Sequence, residues 1–239
     1  MSDEKLRVLG VGAHPDDLEI LAAGTLAKYA EQGHEVFMAV ATDGSAGHAV
    51  IPPDELADIR KEELEKSAAV IGAETYWVGE PDELLFHNRD TRMKFIEMIR
   101  WANPQVIITH NPDDYHPDHR VTSELVFAAA FVATIPNIKT ETRPPDGMAA
   151  IFYMDTLAGA NFEPEFIVDI TDTYDTKVEM MKCHDSQVTW LKEHDDIDIL
   201  DFMDGVAKMR GLQGGGVEYA EGFQAAWVWP RIRPKSMLP

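Results

Sequence analysis

Apolar and polar positions alternate along the first half of this chain in two rhythms. Short, nearly continuous apolar runs at residues 6–13, 35–42, 75–78 and 105–110 read as buried strands. Longer stretches between them carry apolar residues at helical spacing. Residues 18–32 place Leu18, Leu21, Ala22, Leu26 and Tyr29 on one face, with Gly33 as the stop. Pro53 opens a second helix bearing Leu56, Ile59, Ala68 and Ile71, which ends at Gly72. Asp90 or Thr91 caps a third, running to Ala102 before Asn103-Pro104, and a fourth spans residues 118–133. Beyond these, residues 149–154 and 165–169 read as strands and 171–184 and 197–209 as helices; 211–239 read as loop and tail. Repeated strand–helix alternation with short connections predicts a single-domain, Rossmann-like α/β fold over residues 1–239. Its sheet should be mostly parallel, with helices on both faces.

In such a sheet, ligands bind at the carboxyl ends of strands where the strand order reverses. Two predicted strands end here in His/Asp clusters: Ala13-His14-Pro15-Asp16-Asp17 and Asp114-Tyr115-His116-Pro117-Asp118-His119. Each cluster alone has a plain structural explanation, a capped turn or a polar loop. Together they suggest one mononuclear zinc site, because catalytic zinc takes imidazole and carboxylate ligands and keeps one position open. His14, Asp17 and His119 make a two-His, one-carboxylate set. Asp16 then stands beside the metal as the base for a zinc-activated water. His116, three residues before His119, is left to donate a proton or hydrogen bond, with Asp118 holding its ring. His34, His87 and His194 have no such neighbours and are expected at the surface. Gly10-Val11-Gly12 is not a dinucleotide fingerprint, because Pro15 stands where the third glycine belongs. Gly12 instead lets the chain turn tightly beneath His14.

Composition narrows the field. At 239 residues and 45% hydrophobic, the chain can bury one substantial core. A formal net charge of -21 makes nucleic acid a poor partner, since phosphate binding needs clustered Lys and Arg. The single cysteine, Cys183, permits no intrachain disulfide and reads as a packed helix residue. No secretory pattern opens the sequence and no run reaches the ~18 apolar residues of a membrane span, so a cytoplasmic protein with no membrane contact is expected.

The two clusters resemble the PIG-L/LmbE-like family of zinc-dependent N-acetylglucosamine deacetylases, which includes enzymes of bacillithiol and mycothiol synthesis and of diacetylchitobiose breakdown. The resemblance extends along the chain. Arg60 and Glu63 look like the family's Arg-x-x-Glu helix, Gly79 to Asp82 like its Gly-x-x-Asp loop, His184 to Gln187 like its His-x-Ser-Gln helix end, and Ala220 to Phe223 like its Ala-Glu-x-Phe element.

By position, the resemblance implies that His14, Asp17 and His119 bind Zn2+, that Asp16 is the general base, and that His116, backed by Asp118, stabilises the oxyanion or protonates the leaving amine. Arg60 matches a substrate-contacting arginine, the alternative being a surface pair with Glu63. Tyr115 and Tyr219 are candidates to reach the oxyanion, or else pack; Asp82 touches sugar hydroxyls or caps its loop. The implied reaction removes the N-acetyl group from a small N-acetylglucosamine-containing conjugate, giving acetate and a free amine. The alternatives are a zinc amidase acting on a thiol S-conjugate or an antibiotic, and a non-catalytic sugar-binding module. Loops 43–52, 79–89 and 137–147 would set the choice of substrate. By analogy the chain would form a homo-oligomer, a trimer or hexamer.

Overall fold

The computed structural model describes residues 5–227. Its strands are β1 (Arg7–Gly12), β2 (Glu35–Thr42), β3 (Glu74–Glu80), β4 (Val106–Thr109), β5 (Ala150–Met154), β6 (Phe166–Asp169) and β7 (Ala220–Ala225). Its helices are α1 (Asp17–Leu21), α2 (Ala23–Glu31), α3 (Pro53–Val70), α4 (Arg89–Ala102), α5 (Pro117–Val132), α6 (Tyr174–Lys182), α7 (Asp185–His194) and α8 (Ile199–Gln213). Among the described residues one seven-stranded sheet forms, in the order β3-β2-β1-β4-β5-β7-β6. β1 to β5 run parallel, and β7 is antiparallel to both β5 and β6. This is the expected α/β architecture, with a mostly parallel sheet.

Strand pleating sorts the core into two layers. Val8 in β1, with Val36, Met38 and Val40 in β2, faces α1, α2, α3 and α6. Leu9 and Val11, with Phe37, Ala39 and Ala41, face α4 and α5. Both faces are covered, so the central strands are apolar along their lengths, with polar residues such as Arg7, Glu35, Thr42 and Thr109 only at their ends. No helix among the described residues is long and apolar enough to cross a membrane.

Four expectations are corrected. The helix over residues 18–32 is two helices, broken at Ala22 (φ -144°). The carboxylate of Glu221, far away in β7, accepts from Gly24 N at 3.0 Å and Thr25 N at 2.8 Å and so caps α2. That cap is supplied by tertiary structure and leaves no local trace in the sequence. Asn88, not Asp90 or Thr91, caps α4, accepting from both of their backbone N–H groups. Residues 185–194 form a helix where no element is predicted. Finally, α8 runs through Gly211 to Gln213, and Ala220–Ala225 is a strand inserted between β5 and β6. Its sequence, AEGFQA, is too short and mixed to read as a strand; two flanking partners supply its hydrogen bonds. Residues 228–239 of the expected tail lie outside the described residues.

Candidate metal centre and cavity

The strand order reverses at β1, whose neighbours are β2 on one side and β4 on the other. The segments leaving β1 and β4 therefore meet at one crevice. Ala13 is pinned there: its carbonyl accepts from Thr42 N at 2.8 Å and Thr42 Oγ1 at 2.9 Å. Gly12 is needed beneath the turn, because a Cβ there would stand 3.1 Å from Asp17 Cβ and 3.2 Å from His14 O. Asp16 has φ 130°, a conformation L residues rarely adopt, and its side chain makes no cap hydrogen bond to α1. Such strain persists only where surrounding contacts enforce it, and it concentrates at functional sites.

His14, Asp17 and His119 come together. Asp17 Oδ2 accepts from His14 N at 2.6 Å and lies 3.4 Å from His14 Nδ1, while Asp17 Oδ1 lies 3.2 Å from His119 Nε2. His119 Nδ1 faces Asp114 Oδ2 at 3.1 Å, which fixes the ring and leaves Nε2 aimed at the cluster. Asp114 Oδ1 also accepts from His116 N at 3.0 Å, so one carboxylate orients the whole second motif.

His110 was not anticipated. It is fully buried, its ring stacks 3.9 Å from that of His119, and its Nε2 lies 3.0 Å from both Asp17 Oδ2 and Ala13 N. The signal was available, since His110 ends the β4 apolar run as His14 follows that of β1. Asp17, His110 and His119 form one potential metal-holding group, and His14, His116 and His119 another.

The electrostatics are those of a site built for a cation. Burial opposes the charge on Asp17, yet His119, His110 and His14 hold its carboxyl well below the usual range. Burial likewise opposes charge on His119, but Asp17 and Asp114 lift it to about 9. His14 is also raised against its burial, by Asp17 with help from Asp118 and Asp82. Burial and the neighbouring His119 push His110 down to about 4. His14 Nε2, His110 Nδ1 and Asp118 Oδ2 are buried with no hydrogen-bond partner. Imidazoles that draw protons this strongly, beside orphaned donor atoms, fit a divalent metal taking the protons' place.

Around this cluster several expected partnerships differ. Arg60 is buried and does not pair with Glu63, which instead accepts from Ser186 N and Oγ at 2.8 and 2.7 Å. Its guanidinium donates to Gly44 O at 3.1 Å, to Pro15 O, and to Asp16 Oδ2 at 2.9 Å. A Cβ on Gly44 would strike this guanidinium, so glycine is required there. Burial pushes Asp16 up to about 6; Arg60 opposes that rise and Asp17 adds to it.

Asp118 does not hold the His116 ring through its carboxylate, because Asp118 Oδ2 turns to His14 Nε2 at 3.6 Å. His116 instead accepts from Asp118 N at Nδ1, as the cap of α5, and its Nε2 meets Glu83 at 3.3 Å. Asp82 accepts from Ala46 N at 2.9 Å and lies 3.2 Å from His14 Nε2. Tyr115 lines the crevice and is exposed. Tyr219 is not brought to the site: it stacks on Tyr174 at 3.7 Å, and its hydroxyl reaches Asp204. A second unanticipated group, His184 Nε2 3.0 Å from Glu19 Oε1 with Ser67 donating to the same oxygen at 2.5 Å, lies buried near Asp16. His34 accepts from Leu6 N, and His87 pairs with Glu124 at 2.7 Å; both are only partly exposed.

The crevice opens into a cavity of about 580 Å³. Strand-end carboxylates and imidazoles line one part of it, and Trp190, Leu191, Ile199 and Phe202 line another.

A mostly parallel α/β sheet carrying a His/carboxylate cluster at its switch point is the arrangement of an α/β enzyme whose strand-end residues could hold a metal ion. The family model described as GlcNAc-PI de-N-acetylase (PIG-L) matches residues 9–130, and the chain belongs to this family. The chain is 29% identical over 191 residues to diacetylchitobiose deacetylase of Thermococcus kodakarensis, covering 76% of this chain and 70% of that one. It is 25% identical to 4-oxalmesaconate hydratase of Pseudomonas putida, across 97% of this chain and 93% of the relative. The solved N,N'-diacetylchitobiose deacetylase of Pyrococcus horikoshii superposes with a TM-score of 0.79 at 29% identity, over 91% of this chain and 82% of that one.

Proposed function

We propose that this protein is a zinc-dependent deacetylase that releases acetate and a free amine from a small N-acetylglucosamine-containing compound. The observation that carries this reading is the meeting of His14, Asp17 and His119 with a strained, partly buried Asp16 alongside, in the lining of a ligand-sized cavity. His14, Asp17 and His119 hold the ion. When bound, it polarises the amide carbonyl and makes water acidic near neutral pH. Asp16 accepts the proton of the attacking water; its raised affinity for protons suits it to that task, and Arg60 fixes its carboxylate. His116 stands at the same crevice to donate to the oxyanion, a contact worth about 3–4 kcal/mol when well placed. Asp16 returns that proton to the departing nitrogen, or His116 donates its own ring proton there and is reprotonated from Asp16. Asp82 and Tyr115 line the space beside the reacting centre and contact the sugar.

The match across nearly all of both chains to a hydratase supports a second reading, addition of water to an oxalmesaconate-like acid. The charge of the cavity argues against it. The guanidinium that lines it is that of Arg60, whose Nη groups are spent on Gly44 O, Pro15 O and Asp16 while Nε has no partner, and Asp82, Glu83 and Asp195 line it too. Apart from the metal and Arg60, three carboxylates border the space and repel a substrate bearing several negative charges; a neutral acetamide meets no such repulsion.

Zinc-loaded protein incubated with N-acetylglucosamine conjugates should release amine and acetate in equal amounts. Chelation should abolish the release and added zinc restore it. Undiminished release without metal would overturn the metal assignment; hydration of oxalmesaconate with no amine release would favour the second reading.

A further inference from the structure

The strand-end chemistry uses only part of the cavity. Leu157, Trp190, Leu191, Ile197, Ile199 and Phe202 contribute apolar lining from α7, the α7–α8 turn, α8 and the segment after β5. Ile197 is 44% exposed, so much of its aliphatic surface is open to whatever enters the cavity.

This lining is preformed. Ile199 packs with Met181 and Met203 in a small core of its own, with Leu191 and Phe202 against it. The α7–α8 turn is closed by Ile197 N donating to Leu191 O at 3.0 Å and by a Lys192–Asp198 pair at 2.8 Å. The Trp190 ring lies 4.1 Å from both His48 and His194. His48 Nδ1 in turn accepts from Val50 N and Ile51 N at 3.0 Å, so loop 43–52 is fastened to α7. A rigid apolar surface, wet when the cavity is empty, favours a ligand that displaces its water without ordering the protein.

We propose that this lining is a subsite for an alkyl or aryl group carried by the substrate. The preferred substrates are then N-acylated amino sugars bearing a hydrocarbon portion, rather than plain sugars or conjugates with acidic aglycones. The inference rests on the deacetylase reading for its choice of probes. Continuity with the acetamide-facing part of the same cavity makes the occupant a portion of the substrate itself. An acidic aglycone is disfavoured because Glu83 and Asp195 border the space.

The test compares kcat/KM of the zinc-loaded protein for four compounds: N-acetylglucosamine, N,N'-diacetylchitobiose, hexyl N-acetyl-β-glucosaminide and N-hexanoylglucosamine. At least one hexyl-bearing compound should exceed both plain sugars by roughly tenfold or more, mainly through KM, since each buried methylene adds to binding. Which of the two gains tells whether the apolar group sits on the anomeric or the acyl side. In Trp190→Ala and in Ile197→Ser, the ratio of the hexyl compound to N-acetylglucosamine should fall to about threefold or less. Ile197→Ser changes an exposed side chain and leaves the fold intact. Diacetylchitobiose matching or exceeding both hexyl compounds, or a ratio that survives both variants, would overturn the proposal. If no compound releases amine, the deacetylase reading fails and the subsite is judged by calorimetry with hexyl β-glucoside, which has no amide. Saturable binding weakened in both variants upholds it, and absent binding overturns it.

Discussion

Two groups of buried charge in this molecule answer the cost of burial in opposite ways. Beside β7, Lys177 donates to Glu221 Oε1 at 2.5 Å and to Ile20 O at 2.8 Å, and the Glu221 oxygens also take the N–H groups of Gly24 and Thr25. Arg210 grips Asp155 through Nε at 2.6 Å and Nη2 at 3.0 Å, with Phe162 O and Gln213 completing its donors. Two cations meet two anions, and every charged head has its partners. At the ends of β1 and β4 the balance is lopsided. Asp16, Asp17, Asp82, Asp114 and Asp118 crowd one fixed cation, Arg60, and buried donor atoms are left orphaned. A balanced group holds elements together; a surplus of buried carboxylate is tolerable only where a cation is to be supplied.

The largest expected effect tests that surplus. Asp17→Asn should lose bound zinc, because a neutral amide is a poorer ligand than carboxylate, with affinity falling roughly 100-fold or more. Asp16→Asn should keep about one zinc per chain while kcat falls by roughly 10²–10⁴, the worth of a general base. Metal emission and amine release, measured on both variants, decide the matter. If Asp16→Asn sheds the metal and Asp17→Asn keeps it, the two roles are interchanged.

The balanced group should respond in stability and not in metal. Glu221→Gln leaves Lys177 buried without its counter-charge and uncaps α2, a loss of about 3–5 kcal/mol. Zinc content should be unchanged. Urea unfolding of that variant and of the double variant Lys177→Met/Glu221→Leu checks it: the double variant should recover part of the loss. Equal loss in both would mean that the pair is not what the single substitution breaks.

Much of the fold and the centre of the site were legible in the sequence, for a physical reason. The central parallel strands are buried on both faces and so declare themselves as apolar runs, and a motif such as His14-Pro15-Asp16-Asp17 is local. What escaped the sequence is non-local. The break at Ala22 depends on Glu221, nearly two hundred residues away. Strand β7 exists because β5 and β6 offer it edges. Arg60 and Glu63, at helical spacing, suggest each other, but the buried face of α3 sends one to Asp16 and the other to Ser186. Tyr219 directly precedes a family-like element, yet its ring stacks on Tyr174 and not at the site. His110 escapes a motif reading because one histidine closing an apolar run is no cluster, and the dense cluster begins four residues later at Asp114.

A smaller effect sharpens the role of the lone fixed cation. Arg60 lowers the proton affinity of Asp16, against burial, which raises it. Asp16 must be unprotonated to act as base, so activity should decline as pH falls through its value. Arg60→Gln removes the opposing charge, and the acid limb of kcat should therefore move to higher pH while zinc is retained. An acid limb that stays in place would mean that Asp16 does not set it.

The smallest effect concerns His184 and Glu19, a buried pair next to the surplus that sets one cation against one anion, as the group beside β7 does, although Glu19 Oε2 and His184 Nδ1 have no partner. Burial alone would raise Glu19, yet His184 and Ser67 hold it below its usual 4.5. Its contribution to stability is therefore present above about pH 4.5 and lost as pH falls through the lowered folded value. Burial alone would lower His184, yet Glu19 raises it above 6.5. That contribution is complete below about pH 6.5 and lost as pH rises through the raised folded value. Both are in force together between about 4.5 and 6.5. His184→Gln removes the cation and leaves Glu19 buried beside a neutral amide. The stability difference from wild type, about 1–3 kcal/mol for a charge-assisted contact, should be largest inside that window and shrink on either side. Thermal unfolding of the two zinc-loaded proteins across pH 4 to 9 reads it directly (an interval spanning both limbs of the window). A difference that does not vary with pH would mean that His184 stays neutral in the folded protein, and the balance ascribed to this pair would be wrong.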